Sequence, residues 1–155
     1  MLLRNYYSSK MTLPPAYSFT TYAWGYGAAL VTVGVLDALW LGVIAREFYR
    51  SNMVAVAAEN FNVVPAALFY FLYPLGVLFI ALTPPAQGWS EALTRSALVG
   101  LMAYGVYDLT NMATLKVWPV KLALVDMSWG TFITAMAGLA AYLAMAWAQA
   151  PSTGR

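Results

Sequence analysis

Four long apolar runs constrain this chain more than any other feature. They cover residues 20–45, 61–82, 96–115 and 122–150, and each reaches the roughly 20 residues that a helix needs to cross a bilayer. The second run contains no charged residue, and each of the others contains a single aspartate. Because lipid offers the backbone no hydrogen-bond partners, each run is expected to form a helix. The pattern predicts an all-α integral membrane protein with four transmembrane helices in an antiparallel bundle.

The composition agrees with a membrane environment. Hydrophobic residues make up 62% of the chain and charged residues 9%, against about 25% charged residues in ordinary soluble domains. The net charge of +2 is too small to indicate a nucleic-acid partner. The absence of cysteine and histidine excludes disulfides, metal sites built on those ligands and Ser-His-Asp triads. We therefore predict no metal and no other cofactor, and a lipid bilayer as the main partner.

The predicted organisation is a polar N-terminal tail over 1–18, a membrane domain over 19–150 and a C-terminal tail over 151–155. Within the membrane domain the spans are placed at about 20–45, 61–82, 96–115 and 120–148. The very short link between the third and fourth spans requires them to form an antiparallel hairpin. The longer link over 46–60 is compatible with either a short interfacial helix or a solvated loop.

Basic residues are divided equally between the two faces of this topology. Arg46, Arg50, Lys116 and Lys121 lie on one face, and Arg4, Lys10, Arg95 and Arg155 on the other. The first set lies closer to the membrane, which favours a cytoplasmic location for the first and third loops and an outside location for both termini.

The three aspartates inside the apolar runs are the candidate functional residues. At about 1.5 Å per residue, Asp37, Asp108 and Asp126 lie roughly 13, 12 and 8 Å below the nearest basic residues on one face. All three are therefore predicted in the same half of the bilayer, where a carboxylate costs about 2.5–3.5 kcal/mol on insertion scales. Each aspartate also has a polar neighbour three residues later, on the same helix face. The predicted ligand-binding residues are Asp37, Trp40, Tyr107, Asp108, Thr110, Asn111, Asp126 and Trp129.

Residues 34–40 and 105–111 form a weak internal repeat, since both read Gly-Val-x-Asp followed three residues later by Trp or Asn. Such a repeat fits two tandem hairpins, but seven residues do not prove a duplication.

Several segments resemble the family catalogued as domain of unknown function 2177. They are 36–42, 48–49, 66–70 with Tyr73, 107–115, 118–119 and 126–130, and the resemblance covers roughly residues 22–147. The resemblance implies a four-span protein of the bacterial inner (cell) membrane and marks the three aspartates with Trp40, Asn111 and Trp129 as motif positions. It implies no reaction, so no catalytic residue is assigned.

Three functions remain open at this stage. The aspartates form an intramembrane site for a small polar ligand, a cation or a proton, or they only clamp the helices together. Alternatively the chain is an accessory subunit, in a homo-oligomer or a larger membrane complex, that uses small residues such as Gly34 and Gly138 for helix contacts. An enzyme acting on a lipid or isoprenoid is the third alternative, although the repeated Asp-rich signatures of metal-dependent transfer are missing.

Overall fold

The computed structural model describes residues 17–150, and five α-helices form within this range. They are α1 (Phe19–Leu39), α2 (Arg46–Met53), α3 (Val63–Ala81), α4 (Trp89–Thr114) and α5 (Val120–Gln149). A π-helical segment, Trp40–Ile44, continues α1 to the start of α2. No strand occurs between residues 17 and 150, which confirms the all-helical prediction. The predicted C-terminal tail over 151–155 lies outside the described residues, as does the predicted N-terminal tail except for its last two residues.

The helix boundaries follow from local capping. Ser18 Oγ accepts a hydrogen bond from the backbone N–H of Thr21, and Asn62 Oδ1 accepts one from Val64 N–H, so α1 and α3 both begin at a capping side chain. Of the two alternatives for the link over 46–60, the structure forms a short helix over its first half. Helix α4 begins before the predicted third span, and its first turns carry the Glu91–Arg95 ion pair.

Three of the helices are long and apolar enough to cross a membrane, namely Phe19–Ile44, Val63–Ala81 and Val120–Gln149. These correspond to the first, second and fourth spans predicted from the sequence. Helix α4 has 26 residues but is not among them, because it carries charged residues at its start and Asp108 and Asn111 near its end. The criterion of length and composition thus supports three of the four predicted spans.

Helix α1 runs antiparallel to α5. Trp24, near the start of α1, contacts Trp147, near the end of α5, with ring centroids 5.3 Å apart. At the opposite ends of the two helices, the indole N–H of Trp129 donates a hydrogen bond to Asp37. In the same way α3 runs antiparallel to α1, since Tyr22 packs against Phe79.

Helices α4 and α5 form a close hairpin built on small residues. A Cβ at Gly100 would lie 2.5 Å from the carbonyl oxygen of Gly130, and a Cβ at Gly138 would clash with the side chain of Ser96. Gly130 itself leaves room for the ring of Tyr104. The Gly130–Gly138 stripe therefore serves an internal helix contact.

The glycines of α1 and of the π-helical segment that continues it are mostly not in close contact with another helix. Gly25 packs against Met145, but a Cβ at Gly27, Gly34 or Gly42 would meet nothing within 4 Å. Gly34 and its counterpart in the repeat also differ, since a Cβ at Gly105 would contact Met127.

The two ends of the protein are packed differently. Small and branched apolar side chains fill the end formed by the start of α4 and the end of α5, where Ala92, Ile133, Ala137 and Ala141 have no exposed surface. The other end holds the aspartates, several tyrosines and tryptophans, and a cavity. The tightly packed end positions the helices, and the polar end contains the candidate site.

Candidate functional site

The three aspartates lie at one end of the helix assembly, on three different helices. Asp37 comes from the end of α1, Asp108 from the end of α4 and Asp126 from the start of α5. Asp37 is 4% exposed and Asp108 is fully buried, whereas Asp126 is half-buried. The structure therefore buries Asp37 and Asp108 and leaves Asp126 partly exposed.

Asp37 has polar partners on two other helices. The indole N–H of Trp129 on α5 donates to Asp37 Oδ1 over 2.9 Å, and the hydroxyl of Tyr70 on α3 lies in hydrogen-bonding range of the same carboxylate. The ring of Trp129 is stacked on that of Trp40, with centroids 4.4 Å apart and planes 8° from parallel. This stacking holds the indole in the orientation that its hydrogen bond requires.

Asp126 is bound by a residue of the short helix α2. The hydroxyl of Tyr49 donates to Asp126 Oδ1 over 2.5 Å and accepts a longer hydrogen bond, 3.4 Å, from the indole N–H of Trp40. Burial, together with the hydrogen bond to Asp126, raises the pKa of Tyr49 above its usual value, so the hydroxyl keeps the proton that it donates. A charge-assisted hydrogen bond thus attaches α2 to α5.

Asp108 has one partner in the link between α4 and α5 and a second in α5. Its Oδ1 accepts from the indole N–H of Trp118 over 3.0 Å. Its Oδ2 is buried and receives no hydrogen bond from an N–H or O–H group within residues 17–150. The carboxyl group of Asp108 as a whole lies in hydrogen-bonding range of that of Asp126. Two carboxyl groups can only share a hydrogen bond when a proton lies between them.

A cavity of about 360 Å³ lies beside Asp37 and Asp126. Most of its wall is aromatic, and the apolar residues that complete it include Leu41, Met53 and Ala66. The aromatic residues with a polar group are Tyr49, Tyr70, Tyr104, Tyr107, Trp118 and Trp129. Neither a lysine nor an arginine lines the cavity. Its volume is within the range of small-molecule sites.

No basic side chain neutralises these acids within the part of the chain that the structure describes. The ion pair formed there joins Arg95 and Glu91, at the other end of α4. Lys121 is close to the site, but its Nζ lies over the ring of Phe48, 5.5 Å from the centroid. Between residues 17 and 150, no three acidic side chains are grouped closely enough to hold a metal ion.

Residues 22–143 match the family model of domain of unknown function 2177 (DUF2177), described as a predicted membrane protein. The chain belongs to this family. The match agrees with the resemblance of the sequence motifs and contains all three aspartates. No curated protein and no solved structure matches the chain. For this DUF2177 protein, membership establishes a multi-pass membrane protein, and its site has to be interpreted from its own geometry.

The local partners predicted for the aspartates are wrong in detail. The i, i+3 spacing pairs Asp37 with Trp40 and Asp126 with Trp129, but in the structure Trp129 binds Asp37, and Trp40 binds Tyr49. The physical reason is that an indole beside an acid on its own helix points toward the neighbouring helix. Trp129 therefore binds an acid of another helix, whereas Trp40 donates to a tyrosine hydroxyl.

The other predicted site residues occupy mixed positions. Tyr107 lines the cavity and lies edge-on to Trp118, with ring centroids 5.6 Å apart. Asn111 lies in hydrogen-bonding range of the Tyr107 hydroxyl, one helical turn away. Thr110 is exposed on the outer side of α4 and does not line the cavity.

Four aromatic cavity residues with a polar group were not among the predicted ligand-binding residues: Tyr49, Tyr70, Tyr104 and Trp118. Tyr49 and Trp118 lie in the links, where aromatic residues are usually explained as interface anchors. The available signal was that both lie in segments whose sequence resembles DUF2177, because an anchor does not need a particular neighbour in the sequence.

Proposed function

We propose that this DUF2177 protein is a four-span membrane protein that binds a small polar ligand in the cavity beside Asp37 and Asp126. The observation that carries the proposal is the cavity wall, in which two carboxylates and several tyrosine hydroxyls occur without any basic residue. In an apolar surrounding, a hydrogen-bond acceptor without a donor costs free energy. A ligand that donates hydrogen bonds to such acceptors therefore gains more binding free energy there than it would in water. The proposed ligand-contacting residues are Asp37, Tyr107, Asp126 and Trp129.

The remaining members of the predicted site act on those four residues. Trp40 supports Trp129 by stacking, Asp108 holds Asp126, and Asn111 orients Tyr107. Thr110 has no such contact and is left out of the proposed site.

A fourth crossing by α4 is supported by its outer surface. Leu98, Leu101, Met102, Val106 and Leu109 are all exposed on this helix. Such a surface is unfavourable in water and favourable in lipid. The 26 residues of α4 reach about 39 Å, enough for the hydrocarbon core and one polar end.

In this topology the cavity opens near the face that carries α2 and the short α4–α5 link. The basic residues Arg46, Arg50, Lys116 and Lys121 favour the cytoplasm for this face, with both termini outside. A helix clamp is the competing explanation of the aspartates, and it requires no access for a solute.

Access of a polar solute to the cavity tests the proposal directly. Because the chain contains no cysteine, single thiols can be introduced without a background. Ala66→Cys places a thiol in the cavity wall, Gln87→Cys places one in an exposed loop, and Val31→Cys places one on the apolar outer side of α1.

In permeabilised membrane vesicles, where the reagent reaches both faces of the membrane, we expect 2-hydroxyethyl methanethiosulfonate to label Ala66→Cys and Gln87→Cys but not Val31→Cys. Mass spectrometry of the intact protein measures the labelled fraction. If Ala66→Cys is as unreactive as Val31→Cys while Gln87→Cys is labelled, the cavity is closed to polar solutes and the proposed function is wrong.

A further inference from the structure

The walls of the cavity combine negative charge with aromatic rings, and this combination selects for one class of ligand. Carboxylates from α1 and α5 face the cavity together with tyrosines from α2, α3 and α4. Aromatic rings attract a cation by their negative faces, and this attraction is strongest where water is excluded. We propose that the ligand is an organic ammonium ion, held by Asp37 and Asp126 and enclosed by aromatic rings. This inference rests on the proposed function of the same cavity.

The charge balance of the site favours a cation over an anion. Three aspartates lie together without a salt bridge to any basic residue between positions 17 and 150. Their donors, Trp129, Tyr49 and Trp118, are neutral, so they satisfy lone pairs without cancelling charge. An anion such as a phosphate group would meet carboxylates and no basic partner in the cavity wall.

The buried oxygen of Asp108 is an independent sign that the acids have unused acceptor capacity. Asp108 has no exposed surface, and its Oδ2 lacks an N–H or O–H donor from residues 17–150. The carboxyl group of Asp108 lies in hydrogen-bonding range of that of Asp126, which lines the cavity. A positive charge beside Asp126 would stabilise both carboxyl groups, because each repels the other when no cation or proton lies between them.

The shape of the wall favours an organic cation over a bare metal ion. A hard metal ion takes six or more oxygen ligands at short distances, and no group of three acids in the described residues is close enough to supply them. The cavity instead offers about 360 Å³ of space with a mostly aromatic lining. An ammonium group that carries carbon substituents contacts rings and carboxylates at the same time.

Choline and its uncharged isostere 3,3-dimethylbutan-1-ol test the inference, since they share a shape and differ in charge. The readout is protection of Ala66→Cys from labelling by 2-hydroxyethyl methanethiosulfonate, with sodium chloride added to equalise ionic strength. We expect choline to protect at concentrations at least about tenfold lower than the isostere. Labelling of Gln87→Cys should be unchanged by either compound.

Matched variants separate charge from folding. Adding Asp37→Asn or Asp126→Asn to Ala66→Cys should remove the preference for choline, whereas Asp126→Glu should retain it because the charge is kept. Elution volume and thermal unfolding in detergent show which variants remain folded. Because Asp126→Glu is expected to keep the preference for choline, this variant tests the inference even if an asparagine variant does not fold.

The outcomes distinguish the inference from the proposed function. Three results would each overturn the ammonium ligand and leave the polar cavity in place. They are equal protection by the two compounds, no protection by choline of an Ala66→Cys thiol that reacts, and a reduction by choline of Gln87→Cys labelling as large as that of Ala66→Cys labelling. An unreactive Ala66→Cys overturns both.

Discussion

The indole N–H of Trp129 donates a hydrogen bond to Asp37 Oδ1 over 2.9 Å, between residues 92 positions apart in the chain. This bond joins the end of α1 to the start of α5 at the level of the cavity. It also leaves the Trp129 ring stacked on Trp40, the residue that the sequence had placed beside Asp37. The polar site is therefore a cross-helix network in which each acid is bound by an aromatic donor from another part of the chain.

Removing this donor should destabilise the protein. We expect Trp129→Phe to lower the unfolding free energy by about 1 kcal/mol, because it keeps an aromatic ring but leaves Asp37 short of a partner. Thermal unfolding in detergent measures the change. Trp24→Phe, at the other end of α1, is the matched control and should have a smaller effect. An unchanged stability of Trp129→Phe would show that the bond contributes nothing.

The hydroxyl of Tyr49 should control the attachment of α2. Tyr49→Phe removes the hydrogen bond to Asp126 and is expected to speed backbone hydrogen exchange over residues 46–53 about fivefold, the equivalent of about 1 kcal/mol. Ser51→Ala is the control on the same helix, because the Ser51 hydroxyl bonds only within α2, to the carbonyl oxygen of Phe48 and the side-chain amide of Asn52. Equal exchange in the two variants would contradict a role for Asp126 in holding α2.

Asp108 should tolerate an amide better than an apolar side chain. Asp108→Asn keeps an oxygen for Trp118 and gains N–H groups that can donate to Asp126, so we expect stability close to that of the original chain. Asp108→Leu leaves the Trp118 indole N–H without its acceptor and should cost about 1–3 kcal/mol. Thermal unfolding compares the stabilities of the two variants. A less stable Asp108→Asn than Asp108→Leu would contradict the described contacts.

The α4–α5 hairpin should be sensitive at Gly138. Gly138→Val is expected to cost about 1–3 kcal/mol, since even the first carbon of the new side chain clashes with Ser96. Gly34→Val, on the open side of α1, should be nearly neutral. Chemical or thermal unfolding of both variants provides the comparison.

The side chain of Ser96 offers a prediction of the opposite sign. Its Oγ is buried and has no hydrogen-bond partner within residues 17–150. Ser96→Ala should therefore raise stability by about 1 kcal/mol, because it removes an unsatisfied polar group. Thermal unfolding measures the change, and a loss of stability would show that the hydroxyl forms a hydrogen bond that stabilises the protein.

Local sequence patterns predicted the helices well and their contacts poorly. The apolar runs predicted the positions of α1, α3 and α5, because helix formation in lipid depends on each segment alone. They did not predict where α4 begins, since the Glu91–Arg95 pair makes its first turns polar. Among the site residues, Asp37, Tyr107, Asp126 and Trp129 line the cavity as a group, whereas Thr110 faces outward.

The amino-acid sequence by itself determined that this is an all-helical membrane protein, and it predicted three aspartates in the same half of the bilayer. Composition, apolar run length and helix rise act within each segment, so no knowledge of helix packing is needed. Only the tertiary structure decided that Tyr49 and Trp118, from the two links, bind Asp126 and Asp108. It also decided that Asp37 and Asp126 share one cavity with aromatic walls. These contacts and the cavity depend on how the helices are rotated and packed against each other. The spacing of side chains along a single helix does not determine that rotation.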